Sequence, residues 1–185
     1  MSLRAFVALE VPAHALDLLT SFQRELSASG ADIKLVERGN LHFTVKFLGE
    51  ISDSEAHEVD TRLRGLSLKS AVVGLRGVGA FPTPSRPRVV WVGVSREQEE
   101  LVVPMAQRVI DSLEGIGERE GRPFQLHLTL ARVRSGRNVR ELQEVILQNA
   151  GRSFGTAELN SLKLKSSTLT PDGPVYRDVG EYPLA

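Results

Sequence analysis

The chain has 185 residues, enough to bury a sizeable core as one domain or as two small, closely packed lobes. It contains no cysteine, which excludes disulfides, thiolate catalysis and cysteine-based zinc or iron–sulfur sites. Its 23 basic and 23 acidic side chains cancel, which argues against broad non-specific nucleic-acid binding but leaves room for a local basic cleft.

The first apolar run is too short and too soon interrupted for a secretory leader, and no stretch approaches the length of a membrane span. The expectation is a soluble, cytoplasmic protein. Among the basic residues 18 are Arg and 5 are Lys, a preference that identifies no phosphate site by itself.

Residues 3–9 read as a strand. Residues 12–28 read as a helix, with Ala15, Leu19, Phe22 and Leu26 on one face. Residues 41–48 read as a strand ended by Gly49. Ser52 and Glu55 form a capping-box pattern, opening a helix with Ala56, Val59, Leu63 and Leu66 turned inward. Residues 68–80 read as a strand, 81–87 as a proline-rich loop and 88–94 as the next strand. A helix is expected over 97–116, with Pro104 blurring its start. Residues 125–133 read as a strand, and Asn138 with Glu141 suggests a capped helix reaching about Ala150. Residues 153–182 read as two or three strands with a turn at Pro171-Asp172-Gly173.

One internal echo stands out. Leu41-His42-Phe43-Thr44-Val45 and Leu126-His127-Leu128-Thr129-Leu130 share the pattern Leu-His-apolar-Thr-apolar, 85 residues apart, each with a helix before and after. This reads as a duplicated half. On a strand, residues i and i+2 share a face. His42 and Thr44 therefore point one way, as do His127 and Thr129, while Phe43, Val45, Leu128 and Leu130 point into a core. If a pseudo-two-fold axis relates the halves, two imidazoles and two hydroxyls face each other across a cleft.

Such a set suits in-line attack at phosphorus. A neutral imidazole takes a proton from water, an imidazolium gives one to the departing oxygen, and the hydroxyls donate to the non-bridging oxygens. A single His-x-Thr would say little, since a lone strand histidine is usually structural. A metal centre is the competing chemistry, but neither motif supplies the Cys, Asp or Glu that would complete a zinc site. The expectation is no metal and no cofactor. The other alternative is a module that binds a nucleotide or RNA end without turning it over.

These motifs resemble the two-histidine (2H) phosphoesterase superfamily. Arg4-Ala5-Phe6-Val7-Ala8-Leu9, the stretch Leu41 to Glu50, and Leu126 to Arg132 narrow the resemblance to the RNA 2′,3′-cyclic phosphodiesterase, or 2′–5′ RNA ligase, family. Residues 88–94 and the segment Ser167…Pro171-x-Gly173-x-x-Tyr176 extend it through nearly the whole chain. The resemblance implies an α+β bilobal fold, with two mainly antiparallel sheets, flanking helices and pseudo-two-fold symmetry around a central cleft. Residues 1–185 would form a single domain whose two lobes exchange terminal strands. It also implies metal-independent hydrolysis of 2′,3′-cyclic phosphate ends of RNA, or of small nucleotides, to 2′-phosphates, with associated reversible 2′–5′ ligation, by a monomer. His42 would be the general acid and His127 the base, and Thr44, Thr129 and Arg132 would bind the phosphate or nucleotide.

Strict alternation turns Arg132 away from Thr129, unless the strand ends or bulges between them. Lys46 continues the His42-Thr44 face and would reach the cleft rim. Phe6 and Tyr176 are candidates for stacking a base, against a core role. Trp91, in an apolar run, reads as core. Arg86 and Arg88 flank Pro87 in the loop predicted over 81–87, where they would touch RNA phosphates if that loop covers the cleft. His14 and His57 fall on predicted helices in polar surroundings and read as surface residues.

Overall fold

The first apolar stretch forms strand β1 (Ser2–Glu10) in the computed structural model, which describes residues 2–118, 121, 123–171 and 173–185. Helix α1 (Ala13–Ala28) buries Ala15, Leu19, Phe22 and Leu26 on the face their spacing predicts. Strand β2 (Ile33–Leu35) is three residues long, too short to carry a periodic signature. Strand β3 (His42–Ser52) runs on through Gly49, which adopts φ 67°, a left-handed conformation open to glycine without strain. Ser52 then caps α2 (Asp53–Arg64). Its hydroxyl accepts from the Glu55 N–H at 3.2 Å, and the Glu55 carboxylate accepts from the Ser52 N–H at 2.8 Å, which is the expected capping box.

The proline-rich segment departs from its reading as a loop. Strands β4 (Ala71–Thr83) and β5 (Arg86–Val94) run into it and turn only at Pro84-Ser85. Pro82 and Pro87 face each other where the register already slips, so the ladder tolerates their missing N–H groups. Helix α3 (Arg96–Ser112) contains Pro104, and the carbonyl it leaves unmatched belongs to the exposed Glu100. Strand β6 (Leu128–Val133) precedes α4 (Val139–Gln148). Asn138 stands at the start of α4 but does not cap it. It sits at φ 47°, and its side-chain amide donates to the Gly30 carbonyl at 3.3 Å instead. Strands β7 (Ser153–Leu159), β8 (Ser161–Thr170) and β9 (Gly173–Pro183) complete the chain. Of the turn expected at 171–173, Asp172 lies outside the described residues. The β8–β9 ladder closes at Thr170 opposite Gly173.

The strands form one curled sheet in the order β7-β4-β5-β6-β3-β1-β8-β9, with β2 attached to β6, and every pairing is antiparallel. The order is mirrored about its middle: β5 stands beside β6 as β1 stands beside β3. The two expected sheets meet at a single pairing, Phe43 opposite Leu128, and so read as one. Helices α1 and α4 pack on β4–β7, while α2 packs on β1, β3 and β9, and α3 on β3 and β4. The helix-covered face holds the core, including Phe43, Val45, Leu128, Leu130, Val90 and Val92.

Both central strands bulge at the same point of the repeat. In β3, Thr44 lies opposite Ala8 and Lys46 opposite Val7, so Val45 is an extra residue. In β6, Thr129 lies opposite Trp91 and Ala131 opposite Val90, so Leu130 is extra. Each extra residue is the third after its histidine, and each reverses the alternation beyond it. The bulge in β6 is anchored from behind by Gln23, a polar side chain of α1 that is only 4% exposed. Its amide donates to the Leu130 carbonyl at 2.9 Å and to the Val36 carbonyl at 2.7 Å, and Val36 N–H also donates to Leu130 at 2.9 Å. Replacing Gln23 by Leu keeps the volume but leaves the buried carbonyls short of donors. That should cost about 1–3 kcal/mol, read as a lower urea midpoint at unchanged m-value.

Candidate active site

His42 opens β3 and His127 immediately precedes β6. Because Phe43 and Leu128 pair across the seam and point into the core, the preceding histidines come to the opposite face. There a cleft of about 310 Å³ is lined by His42, Thr44, His127, Thr129, Arg132 and Tyr176. The two imidazoles, two hydroxyls and one guanidinium expected to act together therefore share one cavity.

Each imidazole is held differently. His127 Nδ1 lies 2.7 Å from the Gln125 carbonyl, which can only accept, so Nδ1 carries a proton and a neutral ring leaves its lone pair on Nε2. The edge of Phe81 packs against this ring, at 4.9 Å between centroids. His42 Nε2 lies 3.1 Å from the Thr44 hydroxyl. Its ring is stacked on Phe6 (5.1 Å, 25° between planes) and meets the edge of Tyr176 at 5.7 Å. His42 Nδ1 is buried and, among the described residues, makes no well-aligned hydrogen bond.

Burial pushes His42 down to about 4, helped by the Lys165 ammonium and by His127, against a smaller opposing pull from the Asn40 carbonyl. Lys165 is itself buried, held by Glu10 at 2.8 Å and by Asp178 at 2.9 Å. Burial also lowers His127, the Gln125 carbonyl opposes this, and Arg132 adds to the lowering. Burial thus favours the neutral form of both rings in the free cleft.

The bulges decide which neighbours reach the cleft. Arg132, three residues after Thr129, would point away in a regular strand, and the extra Leu130 returns it to the cleft face. Among the described residues no carboxylate forms an ion pair with it. The extra Val45 acts the opposite way on Lys46. It turns Lys46 off the His42-Thr44 face and buries it at 6% exposure beside a separate hollow lined by Asp111, Glu114 and Glu118, so Lys46 is not on the cleft rim. Phe47 takes its place on the cleft wall, in the same repeat position as Arg132. Sequence reading missed Phe47, because only the bulge aligns it with Arg132.

Phe6 is 3% exposed and lies beneath His42, so it supports the imidazole and offers no free face to a base. Tyr176 does line the cleft, half-buried, with its hydroxyl raised by burial. Lys34, Glu37, Asn40, Phe81 and Val89 are further wall residues without a motif to announce them. Trp91 is packed over Gly79, where a Cβ would overlap its ring. His14 and His57 are exposed on α1 and α2, away from the cleft. Among the described residues no group of three or more His, Asp or Glu side chains is arranged to hold a metal ion, and no helix is long and apolar enough to cross a membrane.

Comparison with known proteins agrees with this duplicated architecture. The model of the LigT-like phosphoesterase family matches the chain twice, over residues 9–91 and 92–176, with one His-x-Thr motif in each match. An RNA 2′,3′-cyclic phosphodiesterase of Archaeoglobus fulgidus is 36% identical over 177 residues, covering 96% of this chain and 98% of the relative. Another from Aeropyrum pernix is 36% identical over 169 residues, covering 90% and 95%. The crystal structure of E. coli LigT complexed with 3′-AMP superposes with a TM-score of 0.82 at 21% identity, over 100% of this chain and 99% of the other, and so shares the fold. The chain belongs to the LigT-like phosphoesterase family.

Proposed function

We propose that this protein is an RNA 2′,3′-cyclic phosphodiesterase in which His42 and His127 act as a general acid–base pair without a metal ion, leaving a 2′-phosphate. The observation that carries the reading is the pair of differently held imidazoles facing one cavity that also contains Thr44, Thr129 and Arg132. The full-length relatives named for this activity support it.

In this reading His127 takes a proton on Nε2 from water as the water oxygen attacks phosphorus. The bond to the 3′ oxygen breaks in line with that attack, and His42 gives the departing oxygen a proton. The hydroxyls of Thr44 and Thr129 and the Arg132 guanidinium donate to the non-bridging oxygens, where negative charge accumulates. His42 is the harder ring to protonate in the free cleft, so its role as acid depends on the bound phosphodiester anion, which favours the imidazolium. A 5′-hydroxyl from a second RNA in place of water would form a 2′–5′ linkage by the same proton transfers. The reading extends to a single-domain monomer working in the cytoplasm on RNA ends or small nucleotides.

His42→Ala and His127→Ala should each lower kcat/KM for a cyclic-phosphate oligonucleotide by about 10²–10⁴-fold while the proteins stay folded. An aryl phosphodiester, whose leaving group needs no proton, should restore turnover to the variant lacking the acid, His42→Ala, and not to His127→Ala. Treatment of the unaltered protein with EDTA should leave its rate unchanged. Near-normal turnover in either variant, or tight binding of the cyclic end by the unaltered protein without product, would overturn the reading.

The pH profile follows from the same groups. Below the pKa of the base that ring is protonated and cannot accept; above the pKa of the acid that ring is neutral and cannot donate. Both rings are lowered in the free cleft, so kcat/KM, which reports the free enzyme, should peak below the ordinary histidine value of about 6.5. The profile of kcat should lie at higher pH, because the bound anion raises both rings.

A further inference from the structure

A second hollow, of about 650 Å³, lies at the end of the sheet where the β4–β5 hairpin meets the end of β6 and the first turn of α4. Arg86, Arg88 and Arg134 line it with Ser135 and Gln143, and among the described residues no acidic side chain does. In a chain whose charges cancel overall, this wall concentrates three cations. All three are exposed, and among the described residues none forms an ion pair, whereas Arg38, Arg62, Arg64 and Arg152 elsewhere each hold a carboxylate.

The hollow lies at the same end of three neighbouring strands as the cleft wall, on their other, α4-covered face. Phe81, Val89 and Arg132 line the cleft, and Pro82, Arg88 and Val133, their chain neighbours, line the hollow. A polymer leaving the cleft past Arg132 would reach these guanidiniums by turning over the end of the sheet. Arg86 and Arg88 flank Pro87 on β5, both exposed. Their hairpin is braced: Gln143 donates to the Ser85 carbonyl at 2.8 Å, and the Thr83 and Ser85 hydroxyls are 2.9 Å apart. Guanidiniums on a braced hairpin lose less freedom on binding than those on a loose loop, and their planar fork suits phosphate oxygens.

We propose that this hollow binds the phosphodiester backbone of an RNA strand, on the 5′ side of the cyclic phosphate held in the cleft. The inference rests on the reading of the cleft given above and adds a substrate preference to it: oligonucleotide ends over mononucleotides. Phosphate contacts of this kind position a strand without reading its bases and weaken with salt.

The test compares the unaltered protein with the triple variant Arg86→Ser, Arg88→Ser, Arg134→Ser. Two substrates are used, a 2′,3′-cyclic mononucleotide and a short oligoribonucleotide ending in the same cyclic nucleotide. The variant should show a KM for the oligonucleotide raised about tenfold, with the slope of log KM against log salt flattened by about 0.7 for each phosphate-bound guanidinium removed. Its kinetics on the mononucleotide should be unchanged. Fluorescence anisotropy of a labelled oligonucleotide ending in a 2′-phosphate should show the same drop in affinity without requiring turnover. Equal oligonucleotide KM and affinity in both proteins, or equal losses on both substrates, would overturn the hollow as a backbone site. Failure of the unaltered protein to hydrolyse either substrate would instead sink the reading of the cleft, while anisotropy would still decide for or against the hollow.

Discussion

Everything at the cleft depends on one strand pairing, Phe43 opposite Leu128. Both side chains are completely buried, which commits them to the helix-covered core. A strand has only two faces, so the residue before each must emerge on the other side. Those residues are His42 and His127. The imidazoles are brought together without any direct bond between them; the hydrophobic effect acting on their neighbours does it. Separating them would mean exposing Phe43 or Leu128 to water, at about 1.5–3 kcal/mol for each side chain.

The duplication is not carried through to the chemistry. The two repeats share a histidine, a threonine and a bulge at the same step, yet the side chain each bulge delivers to the cleft differs: Phe47 on one wall, Arg132 on the other. The supports differ as well. His42 packs against both Phe6 and Tyr176 with the Lys165 ammonium nearby, and His127 is fixed through its Nδ1 proton. An in-line displacement has an entering side and a leaving side, and a perfectly symmetric cleft would not tell them apart. The departures from symmetry give each imidazole its own electrostatic environment.

Much of this was legible from residues alone. The spacing of Ala15, Leu19, Phe22 and Leu26 marked the buried face of α1, and Ser52 with Glu55 marked the start of α2, because those signals are local. The paired motifs were legible because a repeated pattern carries more information than either copy. The bulges were not. An extra Val or Leu in an apolar strand looks like any other core residue, and its effect on register shows only against the partner strand. That one omission misplaced Lys46, left Arg132 undecided and hid Phe47. Asn138 misled for a different reason: its side chain found a distant partner in the Gly30 carbonyl, and a tertiary bond displaced a local cap.

The strand order also governs when the cleft can exist. Strand β1, made first, is flanked by β3 on one side and by β8 on the other, and β8 and β9 are made last. A chain that ended after α4 would contain both His-x-Thr motifs but lack Lys165 and Tyr176, and the apolar edge of β1 from Ala5 to Leu9 would have no β8 to cover it. Such an edge is a template for pairing with other chains. Incomplete products would therefore tend to aggregate and meet the cell's disposal machinery, instead of persisting as weakened copies able to act on RNA ends.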